Sequence, residues 1–186
     1  MTHDPAFNDM KLIFVGPPGA GKSTAIRSLS DFPPVSTEVP HSDEKRMTTV
    51  AMDFGEMTLD SGDVVRLYGV PGQGRFEFIW PMIADGAIGA FFFLDARDPA
   101  PLEVLDGYLS SFADTVRDVT CVLAVTHGDE ARHQFTIADY ARHLRSRGSA
   151  MPVVQIDPRQ QKDVLFMLDI LLELLTPAND KVATHA

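Results

Sequence analysis

The residues of this chain best suited to chemistry lie together near its start, in Phe14-Val15-Gly16-Pro17-Pro18-Gly19-Ala20-Gly21-Lys22-Ser23-Thr24. Gly16 to Ser23 fits G-x-x-x-x-G-K-S/T, the pattern of a loop that cradles phosphate. Each residue type has a reason to be there. Glycines let successive backbone N–H groups converge on phosphate oxygens, a lysine at position 22 brings a point charge to the β and γ phosphates, and a Ser23 hydroxyl can ligate Mg²⁺. The flanks agree: "MKLIFVG" (10–16) reads as a short buried strand and "KSTAIRSLS" (22–30) as a helix, so phosphate would sit at a helix N-terminus. The binding set is Gly16, Pro17, Pro18, Gly19, Ala20, Gly21, Lys22, Ser23 and Thr24. The loop alone leaves open which nucleotide it serves.

Positioning such a loop requires a sheet with helices packed on it, and the rest of the chain supplies the pattern. Apolar runs at 10–16, 49–60, 63–70, 86–96, 119–127 and 151–157 alternate with helical patterns at 22–30, 75–84, 101–116, 136–147 and 161–175. This predicts a three-layer α/β/α fold of the P-loop NTPase kind, with a six-stranded, mostly parallel sheet, one antiparallel edge strand and five helices. Residues 31–47, rich in proline and polar residues, read as a long exposed loop. Ser61-Gly62 reads as a two-residue hairpin turn, which sets Asp60 opposite Asp63 and residue 53 opposite residue 70. One domain over 10–176 is expected, with tails at 1–9 and 177–186.

Composition narrows the function. A formal charge of −10 argues against a nucleic-acid partner, which would require a basic footprint. The single cysteine, Cys121, lies in the apolar run "VTCVLAVT", which excludes a disulfide framework. The six histidines show no metal-ligand spacing. Neither end carries an apolar signal region or a lipidation motif, so a cytoplasmic protein without a membrane anchor is expected.

Downstream of the loop the chain resembles the Ras-like small GTPases, from Met10 to about Leu175. "TTVAMDFG" (48–55) is similar to the end of a switch I loop, with Thr49 at the position of the family's Mg²⁺-ligating threonine. "GVPGQGRF" (69–76) is similar to switch II. The resemblance implies that the Gly72 N–H meets the γ-phosphate and that Gln73 orients the attacking water. The "VPGQ" form, without a leading aspartate, resembles the bacterial MglA-type branch of gliding-motility GTPases, which implies a roadblock-type partner.

The base-reading elements depart from the family. "THGD" (126–129) stands where Asn-Lys-x-Asp is usual. Asp129 keeps the carboxylate that pairs with guanine, Thr126 loses an amide, and His127 takes the place of the lysine stem over the base; Asp129 would equally suit a helix cap or turn. Asp157-Pro158-Arg159 stands for the later Ser-Ala-Lys element, and proline brings no N–H to the guanine oxygen. Arg46, three residues before Thr49, has the offset of the arginine that stabilises the transferring phosphoryl group in heterotrimeric G-protein α subunits, and equally suits a solvated place in "DEKR". The family's aspartate at the end of its third strand, which holds a Mg²⁺-bound water, is replaced here by Gly69. The hairpin register brings Asp53 beside Gly69, and strand alternation places it on the same face as Thr49, so Asp53 is expected to serve the metal; as an ordinary polar strand residue it would have no such role.

With the loop motif, the resemblance implies a GTPase: GTP as substrate, GDP as product, Mg²⁺ as cofactor, Lys22, Gln73 and Arg46 as catalytic candidates, and Ser23, Thr49 and Asp53 as metal candidates. Two alternatives stand beside it. One is a nucleotide-gated interaction module that does not hydrolyse; the other is an adenine-nucleotide enzyme, since "GPPGAGKST" also resembles an adenylate kinase loop.

Overall fold

A computed structural model describes residues 9–43, 46–117, 119–131 and 135–176, and within them the side chains of 10–35, 52–117, 119–131 and 135–176. The elements run β1 (Asp9–Val15), α1 (Lys22–Leu29), β2 (Val35–Asp43), β3 (Arg46–Thr58), β4 (Val64–Gly69), α2 (Trp80–Ala84), β5 (Gly89–Asp95), α3 (Pro101–Phe112), β6 (Thr120–Thr126), α4 (Ile137–Ser146), β7 (Val153–Gln155) and α5 (Gln161–Leu175). A 3-10 helix, Gly74–Ile79, leads into α2.

The strands form one sheet in the order β2-β3-β4-β1-β5-β6-β7. From β4 to β7 neighbours are parallel, while β3 is antiparallel to both β2 and β4. The central strands are apolar on both faces because helices cover both. On β5, Phe91 and Phe93 join a core with Ile26 of α1 and Leu168 of α5, whereas Phe92 joins the opposite core with Trp80, Phe112 and Tyr140. This is strand alternation within a doubly covered sheet. Helix α4 starts at a capping box, in which Thr136 Oγ1 accepts from the Asp139 N–H and the Asp139 carboxylate accepts from the Thr136 N–H. Among the described residues no helix is long and apolar enough to cross a membrane.

Two expectations need correction. The stretch 31–47 is not a loop throughout: Val35–Asp43 is a strand, paired along its length with Phe54–Arg46. The sheet therefore has a seventh strand, and β3 is not its edge. An edge strand pairs on one side only and tolerates proline, here Pro40, so it lacks the continuous apolar run that marks the inner strands.

The β3–β4 turn also differs. The Leu59 N–H donates to the Asp63 carbonyl at 2.9 Å and the Gly62 N–H to that of Leu59 at 2.8 Å, closing a three-residue loop with Gly62 in the left-handed region at φ 89°. The extra residue shifts the register by one, so Phe54 faces Tyr68 and the next position, Asp53, comes level with Gly69 rather than residue 70.

Candidate functional site

The loops that follow the five parallel strands gather at one edge of the sheet, the C-terminal ends where ligands bind in open α/β folds. The loop after β1 runs straight into α1. Lys22 Nζ donates to the carbonyls of Gly16 at 2.6 Å and Pro17 at 2.8 Å, so the ammonium folds back over its own loop. Burial pushes this lysine down to about 8, against the opposing charge of Asp53. The loop fits tightly to its surroundings: a Cβ on Gly21 would lie 2.8 Å from Pro158 Cγ.

Ser23 Oγ donates to Asp53 Oδ2, joining the start of α1 to β3. A Cβ built on Gly69 would lie 3.1 Å from Asp53 Cβ and 3.4 Å from Oδ2. The carboxylate thus fills the space that a side chain at position 69 would enter. Arg46 and Thr49 belong to β3, opposite Asp43 and Pro40, but their side chains lie outside the described residues.

After β4 the chain turns against the first loop. The Val70 N–H donates to the Phe14 carbonyl at 2.8 Å, and a Cβ on Gly72 would overlap the Gly16 carbonyl oxygen. Two aromatic residues, which nothing near them in the sequence points out, hold this segment from behind. Trp80 Nε1 donates to the Pro71 carbonyl at 3.1 Å, and the Tyr108 hydroxyl donates to the Gly72 carbonyl. Gln73 is exposed, and the Arg75 guanidinium lies 4.7 Å from the Phe76 ring centre. A pocket of about 540 Å³ opens between the two segments, with Lys22, Ser23, Asp53, Gly72 and Gln73 on its walls.

A second pocket, about 160 Å³, lies among the loops after β6 and β7 and is lined by His127, Asp129, Gln155, Asp157, Pro158 and Arg159. His127 adopts a left-handed backbone at φ 55°, with Nδ1 3.4 Å from Asp95 Oδ1. Asp129 Oδ1 lies 3.5 Å from Gln155 Nε2. Arg159 forms two 2.9 Å contacts with Asp157, and these hold that carboxyl below its usual range. Burial works to raise Asp95, but hydrogen bonds from Arg97 outweigh it and the group is lowered.

Thr126 does not face this pocket. It is fully buried, and its hydroxyl donates to the Ala20 carbonyl at 3.1 Å with the Leu94 carbonyl at 3.3 Å. It ties β6 to the first loop. Pro158 does the same from β7, by packing on Gly21 and accepting from Ser28 Oγ at 2.6 Å. The first loop is thereby braced by both strands that carry the second pocket.

Most of the sequence candidates with described side chains fall into three groups. Lys22, Ser23, Asp53, Gly72 and Gln73 share the first pocket; His127, Asp129, Asp157, Pro158 and Arg159 share the second; Thr126 and Ala20 join the two. Trp80, Tyr108, Asp95 and Gln155 enter only through the tertiary structure. Chemically, the first pocket can hold an anion against Lys22 and the start of α1, with two hard oxygens, Ser23 Oγ and Asp53 Oδ2, beside it. Among the described residues no group of three His, Cys, Asp or Glu side chains is placed to hold a metal by itself. A Mg²⁺ held by one or two protein oxygens and completed by phosphates and water matches that donor set.

No family model matches the chain. An uncharacterised protein of Methanocaldococcus jannaschii is 30% identical over 89 residues, which are 48% of this chain and 53% of that protein. The chain thus spans about half the length of the curated relative it matches.

Proposed function

We propose that the chain is a Ras-like, MglA-type GTP-binding switch that hydrolyses GTP slowly with Mg²⁺. The observation that carries this reading is the convergence of three features at one sheet edge: a lysine-bearing loop at a helix start, the Asp53–Ser23 pair beside it, and a carboxylate-bearing pocket braced to the same loop by Thr126 and Pro158.

In this reading Lys22 leaves the Gly16 and Pro17 carbonyls for the β and γ phosphates. Ser23 and Asp53 would hold Mg²⁺, directly or through water, and the ion would supply charge neutralisation to the phosphates. Asp53 thereby stands in for the carboxylate that Gly69 lacks. The Gly72 N–H serves the γ-phosphate, Gln73 orients the attacking water, and Asp129 accepts from the base. Exposed Phe78 and Met82, just past Gln73, offer an apolar surface to a roadblock-type partner that reads the state of this segment.

The test is a nucleotide panel, in which affinities for GDP, GTP, ADP and ATP are measured with and without Mg²⁺, followed by single-turnover hydrolysis. Tighter GTP than ATP binding, dependence on Mg²⁺ and formation of GDP are expected. Tighter ATP binding overturns the guanine assignment. Binding without any GDP, even with a partner added, leaves a switch that does not hydrolyse.

A further inference from the structure

From the two aromatic contacts behind the 70–73 segment, we infer that Tyr108 and Trp80 are positioning residues, which preset the backbone N–H groups of Gly72 and Gln73 to face the phosphate pocket and so set preference for a nucleoside triphosphate over a diphosphate. This rests on the function proposed above.

In a trans peptide the carbonyl and the following N–H point to opposite sides. Trp80 Nε1 holds the Pro71 carbonyl at 3.1 Å, which directs the Gly72 N–H away from the indole. The Tyr108 hydroxyl holds the next carbonyl, that of Gly72, and directs the Gln73 N–H away from the phenol. The two rings stack with centroids 6.1 Å apart and planes 22° apart, so they act from one side as a single wall. Trp80 is in turn stacked on Phe112 at 4.1 Å and buried in the core on that face.

The segment itself separates two cavities. Gly72 and Gln73 line the pocket with Lys22 and Asp53, whereas Trp80 and Tyr108 line a different one of about 400 Å³, between α3 and the 3-10 helix. With both carbonyls held on the aromatic side, two successive N–H groups converge on the other, an arrangement suited to an anion. Burial pushes the Tyr108 hydroxyl up to about 12, so it remains a donor at neutral pH.

Under the function proposed above, the Gly72 N–H serves the third phosphate, which a diphosphate lacks. Loss of the hold should therefore weaken triphosphate binding selectively, whereas a merely structural contact would weaken both nucleotides together.

The test uses the full chain with GDP and the slowly hydrolysed analogue GTPγS, comparing wild type, Tyr108→Phe, Trp80→Phe and the control Tyr140→Phe. Tyr140 is buried on the same face, with a hydroxyl that has no hydrogen-bond partner among the described residues. Loss of one hydrogen bond of ordinary strength predicts that Tyr108→Phe weakens GTPγS by about three- to tenfold while GDP stays within about twofold. Trp80→Phe should move the ratio the same way, and Tyr140→Phe should leave it unchanged. An unchanged ratio in both Tyr108→Phe and Trp80→Phe, or an equal loss for both nucleotides, overturns the inference and leaves the nucleotide reading standing. A wild type that binds neither nucleotide overturns both.

Discussion

Asp53 Oδ2 accepts the Ser23 hydroxyl in the space that a side chain on Gly69 would occupy. β4 ends in a residue with no side chain, and its antiparallel neighbour β3 fills the space beside it with a carboxylate. The register that allows it is set beyond both residues, by the turn at Gly62, whose left-handed backbone admits one more residue than a two-residue hairpin.

Under the proposed function, removing this carboxylate should raise the Mg²⁺ requirement. Asp53→Ala is expected to increase the Mg²⁺ concentration that half-saturates GTP binding by about tenfold, the lower end of what loss of a metal-supporting group costs. Asp60→Ala, at the exposed turn, should have no such effect. Because a side chain at 69 would point at the same place, Gly69→Asp added to Asp53→Ala should recover part of the loss. Mg²⁺ titrations that coincide for wild type and Asp53→Ala would remove Asp53 from the metal site.

Under the proposed function, Lys22 should make nucleotide binding dependent on pH. Its folded value, pushed down to about 8, lies below the unfolded value of 10.5, so the unfolded chain binds more protons between these limits. This group alone therefore makes the ligand-free protein more stable as pH rises from about 8 to 10.5, and its burial penalty is present in full below about 8. Nucleotide affinity has the opposite sign, because phosphate requires the charged form; it should be full below pH about 8 and fall as pH rises through that value. Isothermal titration from pH 6.5 to 9.5 should find the fall in wild type and its absence in Lys22→Arg. Asp53→Ala, which removes a charge that raises the lysine, should move the midpoint down.

Gln73 is exposed beside the pocket and makes its contribution, under the proposed function, in the transition state. Gln73→Leu should lower kcat for GTP hydrolysis by about a hundredfold, in the range typical for a positioned catalytic group, and leave GTP affinity within about twofold. Equal single-turnover rates for wild type and variant, with a partner present, would take Gln73 out of the mechanism.

Thr126 offers a test of the brace between the pockets. Thr126→Val keeps the shape but removes the donor to the Ala20 and Leu94 carbonyls, and a lost buried hydrogen bond costs about 1–3 kcal/mol. Urea denaturation should show that loss, and under the proposed function affinity for GDP should fall with it, because the brace holds the loop that bears Lys22. Unaltered stability and affinity would mean that Pro158 alone suffices to hold the loop.

What the sequence determined by itself was whatever is written in neighbouring residues. The Gly16–Ser23 loop was legible because strand, loop and helix are contiguous, and β1, β5 and β6 because burial on both faces leaves unbroken apolar runs. The five helices were legible from their periodicity, and Asp53 came within one residue of its place because antiparallel pairing can be counted back from a turn. Only the tertiary structure decided the rest. Strand β2 was hidden because an edge strand carries no double-faced apolar pattern, and the register depended on a third turn residue that a Ser-Gly dipeptide does not reveal. Thr126 turned inward to Ala20, 106 positions away, and Tyr108 reached Gly72 from 36 positions downstream. Contacts of that range leave no trace in local residue order, because packing the helices onto the sheet, rather than the chain's own periodicity, brings the partners together.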